Sequence, residues 1–283
     1  MIHERFKRQG TGGFISAIGL GMAIAVVALG AAVAPVRAAD WAGYEKLSRE
    51  QVIAAVKGGP DGKIPALYSK NLSGLDLSGI DFRKGNLSAS VLNGANLKGA
   101  NLSGCDLTVA FVEGANLSGA DLRGATLFST QFRGSVFKGA NLAGARFIGD
   151  MTGADLRGAD LSGLDGAADM KNQSMGLMRA NIVSANLREA NLAGADLSRA
   201  DFSFSVLAGA NLQNAKLHGA DFSATDLSGS DLRGADLEGS KFIDTDFTGA
   251  DLSNAEFSGS TFRNPKGLDK ATRTGAKGLP GSP

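Results

Sequence analysis

Ala95-Asn96-Leu97-Lys98-Gly99-Ala100-Asn101-Leu102-Ser103-Gly104 is one five-residue phrase written twice: small residue, Asn or Asp, Leu or Phe, polar residue, Gly. The phrase begins at Asn71, returns as Ala235-Asp236-Leu237-Glu238-Gly239, and runs almost to the end of the chain. A period of five matches neither the 3.6 of a helix nor the 2 of a strand, so neither holds Leu on one face for long. A fixed short period is the mark of a solenoid. Within each unit the Leu or Phe centre and the small residue two before it (Ala95, Ala100, Ala115) face inward. The Asn or Asp between them points outward, because an unpaired buried carboxylate is costly. Gly suits a tight corner. The phrase carries packing rather than chemistry.

Centres fall every five residues from Leu72 to Phe147 and again from Ile182 to Phe262. Phe202, Phe222, Phe242 and Phe262 recur at twenty, as do Leu192, Leu212, Leu232 and Leu252. Twenty residues make four units, which predicts a four-sided coil with its rings stacked one above another. Each offset ring contact is worth roughly 0.5–1.5 kcal/mol beyond area burial.

The A(N/D)LxG phrase resembles the pentapeptide-repeat proteins over about residues 71–262. That resemblance implies an all-β fold, a right-handed quadrilateral β-helix with the centre and the preceding small residue inside. At about 4.8 Å per turn it implies about ten coils and a rod roughly 45 Å long. It implies little about activity, since the family has no common one, although some members mimic duplex DNA and protect topoisomerases.

Residues 1–38 read as a signal peptide or membrane anchor. Arg5, Lys7 and Arg8 precede an apolar stretch from Phe14 to Ala34, and Val36-Arg37-Ala38 offers small residues for cleavage before Ala39. Cleavage predicts a periplasmic or secreted protein; retention of the stretch, which is long enough to span a bilayer, predicts an inner-membrane anchor with the rod facing the periplasm. Losing this segment takes the net charge from +1 to about −2. Residues 39–70 read as a capping segment: Ser48-Arg49-Glu50-Gln51 forms a capping box opening a short helix, Val52, Ile53 and Val56 give it an apolar face, and Gly58-Gly59 closes it. Residues 263–283 read as a C-terminal cap, through Leu268 and Ala271, followed by a flexible tail. Such ends are expected because an uncovered last coil invites end-to-end association.

The repeat falters over 148–181. The best centres there are Leu156, Leu161, Met170 and Leu177, with a loop around Asn172-Gln173-Ser174, and the five-residue phase is recovered by Ile182. This predicts one continuous rod with a local bulge. Met151, Met170, Met175 and Met178 cluster in this break, either as a soft-metal site for Cu(I) or as flexible filling where Leu columns fail. Outward acids from Asp221 to Glu256 form either a cation- or partner-binding flank or ordinary solvated corners. Cys105 stands at an inner small position, so it reads as a core residue and excludes an internal disulfide. His218 follows its centre and faces solvent.

No phosphate loop, zinc spacing or nucleophile triad is present, so neither an enzyme nor a cofactor is expected. The near-neutral charge gives no nucleic-acid footprint. Apolar residues at outward positions are the lead for a partner-binding face: Val91 and Phe111 precede their centres, while Phe128 and Ile148 follow theirs. The reading is a non-catalytic exported scaffold that meets a protein or envelope partner, or a second copy of itself. A topoisomerase-binding DNA mimic and soft-metal binding at the break are the alternatives.

Overall fold

Each side of the coil is so short that a single residue of it pairs with the turns before and after. In the computed structural model, which describes residues 41–57, 67–167 and 179–281, Asn96 bridges both Asp76 and Asn116 in parallel. Leu97 N–H donates to Asn116 O at 2.7 Å, and Asn116 N–H donates to Ala95 O at 2.9 Å. Backbone groups along the sides are thus satisfied by the neighbouring turns. At the corner, Ala100 N–H donates to Leu97 O at 3.0 Å, and Gly99 takes a φ of 63°, the left-handed value that this turn position demands.

Ladders starting at Asn71, Asp76, Asp81 and Asn86 give four walls, first to fourth, and each advances by twenty residues per regular turn. Only a few stretches are longer than one bridge. At the front, β1 (Glu45–Lys46) pairs with β2 (Lys70–Asn71), and α1 (Arg49–Val56) lies between them in sequence. Mid-chain, β3 (Thr126–Gln131) pairs with β4 (Arg146–Asp150); at the back, β5 (Lys241–Ile243) pairs with β6 (Thr261–Arg263).

Helix α1 starts on a reciprocal capping box: Gln51 N–H donates to Ser48 Oγ at 3.3 Å and Ser48 N–H to Gln51 Oε1 at 2.7 Å. Val52 is buried, and Ile53 and Val56 pack half-buried against the same core. Arg49 Nε donates to the carbonyl of Asp76 on an early turn at 2.7 Å. Gly58 and Gly59 lie outside the described residues, as do residues 1–40. Among the described residues no helix is long and apolar enough to cross a membrane.

Inside, the twenty-residue columns are physical stacks. Ring centroids of Phe202 and Phe222 are 5.0 Å apart with planes 3° from parallel; Phe222–Phe242 follows at 5.4 Å and Phe242–Phe262 at 5.0 Å. Phe247 and Phe257 close on Phe242 and Phe262 at the back of the lumen. Where Ser or Thr replaces the inner Ala, its hydroxyl bonds a backbone carbonyl, of the preceding turn for Thr225 (Phe202 O at 2.8 Å) and of its own corner for Ser230 (Leu227 O at 2.6 Å). Among the described residues no buried hydroxyl is left to cost the fold.

The ladder crosses the interruption. Gln131 pairs with Asp150, nineteen residues on, and Asp150 pairs with Asn181, thirty-one on, where a regular turn takes twenty. One turn is therefore a residue short and the next carries eleven extra residues between Gly166 and Asn181. Met151 is the centre between Phe147 and Leu156, with its N–H donating to Asn181 O at 2.7 Å, and Gly166 is the centre after Leu161. That corrects the expected step straight from Leu161 to Met170. The lumen at Gly166 is already filled: a Cβ there would come within 2.7 Å of Leu197 Cδ2. Met170 and Leu177 lie outside the described residues.

The tail differs from expectation too. Lys277 bridges Glu256, and Leu279 is buried, so the chain stays paired to the last turn where a flexible tail was read. Leu268 and Ala271 pack half-buried on the core. Removing one ring from the middle of the stack should be costly: Phe222→Ala is expected to lower stability by about 3–5 kcal/mol in urea unfolding, and a loss below about 1 kcal/mol would contradict the stacked lumen.

Candidate interaction surface

The four apolar residues singled out from sequence flank one corner, but the fold withdraws two of them. Val91 and Phe111 are bridged neighbours on the first wall; Phe128 and Ile148 are register partners on the fourth. Val91 is 0% exposed and Ile148 2%, while Phe111 and Phe128 are half-buried. The first-wall pair is shielded by its own chain. The Trp41 ring lies 4.7 Å from Phe111, Tyr44 lies 5.5 Å from Trp41, and β1 extends the same wall through Lys46 and Asn71. As a free docking face, the set Val91, Phe111, Phe128 and Ile148 does not stand as read.

What remains open is an edge rather than a wall. Val109 occupies the corner between Phe111 and the column of Phe128, and its N–H donates to Phe128 O at 2.8 Å. It is 44% exposed with a φ of 52°, a strained value for a β-branched residue. Tyr68, 56% exposed, begins the column that Phe128 continues. Phe204 repeats the anomaly beyond the interruption, 65% exposed with a φ of 61°. Both Val109 and Phe204 stand where the phrase has Gly, a signal visible in the sequence and missed there.

Beside this edge, Ser129, Gln131, Ile148, Gly149, Arg179, Asn181, Val183 and Asp201 line an open cleft of about 320 Å³. Arg179 pairs with Asp201 at 2.7 Å. Asn181 donates through Nδ2 to Asp150 at 3.3 Å, while its buried Oδ1 has no partner among the described residues.

Outward Asn and Asp residues have a local task. Their Oδ1 accepts the N–H two residues on, as Asp221 does from Ser223 at 2.9 Å, which fastens the turn. Hydrogen bonds from Arg83, Arg123, Arg157 and Arg233 hold Asp81, Asp121, Asp155 and Asp231 below the usual carboxylate range. Asp246 is lowered by the Thr248 hydroxyl and backbone, then by Lys266 and Lys270. In the acidic flank, Lys241 reaches Asp221 at 3.0 Å and Lys277 reaches Glu256 at 3.6 Å. Much of the flank is thus paired.

Met151 is a buried core residue; Met170, Met175 and Met178 lie outside the described residues. Cys105 is buried with its thiol directed at Phe82 O, 2.9 Å away, and desolvation pushes its pKa up to about 12. His218 is exposed as expected, but Asp236 and Glu238 stand beside it, with one ligand atom from each residue within 4.8 Å of the others. Glu238 is twenty residues on, so the pitch alone could have placed it. All three side chains are exposed, and no buried group orients them as a built metal site requires.

Four single-residue ladders closing into a tube define a parallel β-helix of square section. The sequence profile described as Pentapeptide repeats matches in eight copies, over residues 71–108, 115–149, 130–165, 185–223 and 225–264. The chain belongs to the pentapeptide-repeat family, whose members form right-handed quadrilateral β-helices and are generally non-enzymatic. Among solved structures it is similar to HetL of the cyanobacterium Nostoc, involved in heterocyst differentiation regulation: 29% identity, 75% of this chain, 90% of that one, TM-score 0.45. A pentapeptide-repeat protein of the Arabidopsis thaliana thylakoid lumen shares 36% identity over 36% of this chain and 71% of its own, TM-score 0.34. QnrB1, a plasmid-mediated fluoroquinolone resistance protein, shares 19% over 73% and 90%, TM-score 0.39. Comparison with functionally curated proteins returned no match.

The lowered carboxylates favour the folded state above the ordinary carboxylate pKa and lose that contribution as pH falls through their depressed values. Melting temperature is therefore expected to hold between about pH 5 and 8 and to drop below about pH 4; a drop already at pH 6 would require another titrating group. Cys105 should resist iodoacetamide at pH 8 in the folded chain and react fully in denaturant, as read by intact mass.

Proposed function

We propose that the chain is a non-catalytic, exported interaction rod that meets a protein partner of the cell envelope along its apolar corner residues. The observation that carries this reading is the placement of Val109 and Phe204. Each is a bulky apolar side chain at a left-handed corner where Gly would relieve strain, and each is open to solvent. A residue that costs stability and serves no packing marks a surface kept for contact. The side chains capable of chemistry are otherwise occupied: Cys105 in the lumen, many aspartates on turn N–H groups. Pairing of acids with bases along the walls supports this reading over a mimic of duplex DNA.

In this picture α1 closes the front of about ten turns, the paired tail closes the back, and the tube is roughly 45 Å long at about 4.8 Å per turn. Residues 1–38 direct export, by cleavage or as an anchor.

Val109→Gly and Phe204→Gly should each raise stability by up to about 1 kcal/mol while reducing capture of a cross-linked partner from envelope extracts. If the doubly substituted chain recovers the same partners in the same yield as wild type, the corner residues are not the contact. Fractionation with measurement of the N-terminal mass tests export separately, and a soluble cytosolic product retaining Met1 would refute it.

A further inference from the structure

The second wall carries a line of cations that the fold neutralises only in part. The residues following its centres stack turn upon turn. Gly79 N–H donates to Lys98 O, Gly99 to Ser118, Gly119 to Lys138, Gly139 to Arg157 and Gly158 to Arg188, all at 2.9–3.0 Å. Lys98, Lys138, Arg157 and Arg188 are exposed.

On the third wall an arginine in this position grips the aspartate two residues before it: Arg83 on Asp81 at 2.6 Å, Arg123 on Asp121 at 2.7 Å, Arg233 on Asp231 at 2.6 Å. On the second wall only Arg157 has that partner, Asp155. Asn96, Val136 and Asn186 stand two before Lys98, Lys138 and Arg188; none of these three cations forms an ion pair among the described residues, although Lys138 lies near enough to Asp155 to help lower its pKa. Lys138, Arg157, Gly158, Arg188 and the corner residue Glu189 line an open cleft of about 370 Å³. Like charges side by side on one sheet face repel; Asp155 and Glu189 offset part of that repulsion, and an anion lying along the stack offsets more.

We infer that this column binds a linear chain of phosphate groups. Turns are about 4.8 Å apart, so Lys138 and Arg188 offer two cations free of ion pairs roughly 10 Å apart along the axis, with Arg157, held by Asp155, between them. One phosphate covers part of that line; a chain spans both free cations, with the Arg188 guanidinium fork suited to bidentate contact. The column has no aromatic platform for stacking bases of single-stranded nucleic acid: its uncharged members are Ser78, Ser118, Ala208, Ser228 and Thr248. A flat anionic membrane would meet the whole wall and be repelled by Asp226 and Asp246 farther along it, whereas a short chain ending at Arg188 avoids both. The site is separate from the apolar corners and stands or falls independently of them.

Calorimetric titration of the full chain with tripolyphosphate, beside inorganic phosphate and phosphatidylglycerol–phosphatidylcholine vesicles, tests this. Tripolyphosphate should bind more tightly than either. Lys138→Glu combined with Arg188→Glu should weaken it by about tenfold or more and lower the slope of log affinity against log salt by about 1 per lost cation; Lys270→Glu should leave it unchanged. Circular dichroism checks folding, and Lys138→Gln with Arg188→Gln replaces the reversal pair if that pair unfolds. Equal affinity across these variants, tighter binding to vesicles, or no binding at low salt would overturn the assignment.

Discussion

Hydrogen bonds between turns, one short set per wall, are the constraint from which the rest follows. A side that pairs through a single residue must place that residue in register with its partner a full turn away, or lose the bonds above and below together. Asn96 between Asp76 and Asn116 shows the arrangement. Register in turn fixes what lies inside. Each centre stacks on the centre one pitch away, and where both are Phe, as at Phe202 and Phe222, the near-parallel rings result from translation rather than from a preferred pair geometry. Burial of these columns supplies the driving force, while the exposed ion pairs on the walls contribute little.

The regular part of this architecture was legible because a five-residue period leaves few alternatives. The Phe column, the Leu column, the capping box at Ser48 and the core position of Cys105 all followed from spacing. The interruption was misread where identity and position parted: Met151 and Gly166 are centres by hydrogen bonding though neither is Leu or Phe. Leu164 and Leu197 occupy the space at Gly166, a compensation no local pattern announces. Val91 is buried in a wall that Trp41 and β1 extend from fifty residues earlier in the chain, and periodicity carries no information about such docking. His218 and Glu238, twenty residues apart at equivalent outward positions, were within reach of the pitch rule.

Function is harder to read because the walls do two jobs with the same residues. An aspartate that fastens a turn and one that awaits a ligand look alike in sequence. They are told apart by what each side chain touches. Arg157 gripped by Asp155 and Lys138 with Val136, not an acid, two residues before it differ in this way, and so do Gly at most corners and Val or Phe at two.

Those corners have a further consequence. Val109, Phe204, Asp244, Arg199 and Asn214 all adopt nearly the same left-handed backbone angle as their glycine counterparts. Each corner is thus a display socket, able to exchange one side chain for another at modest energetic penalty without disturbing the lumen. A scaffold with sockets at every bend can acquire new recognition chemistry by single substitutions, so closely similar tubes need share no ligand.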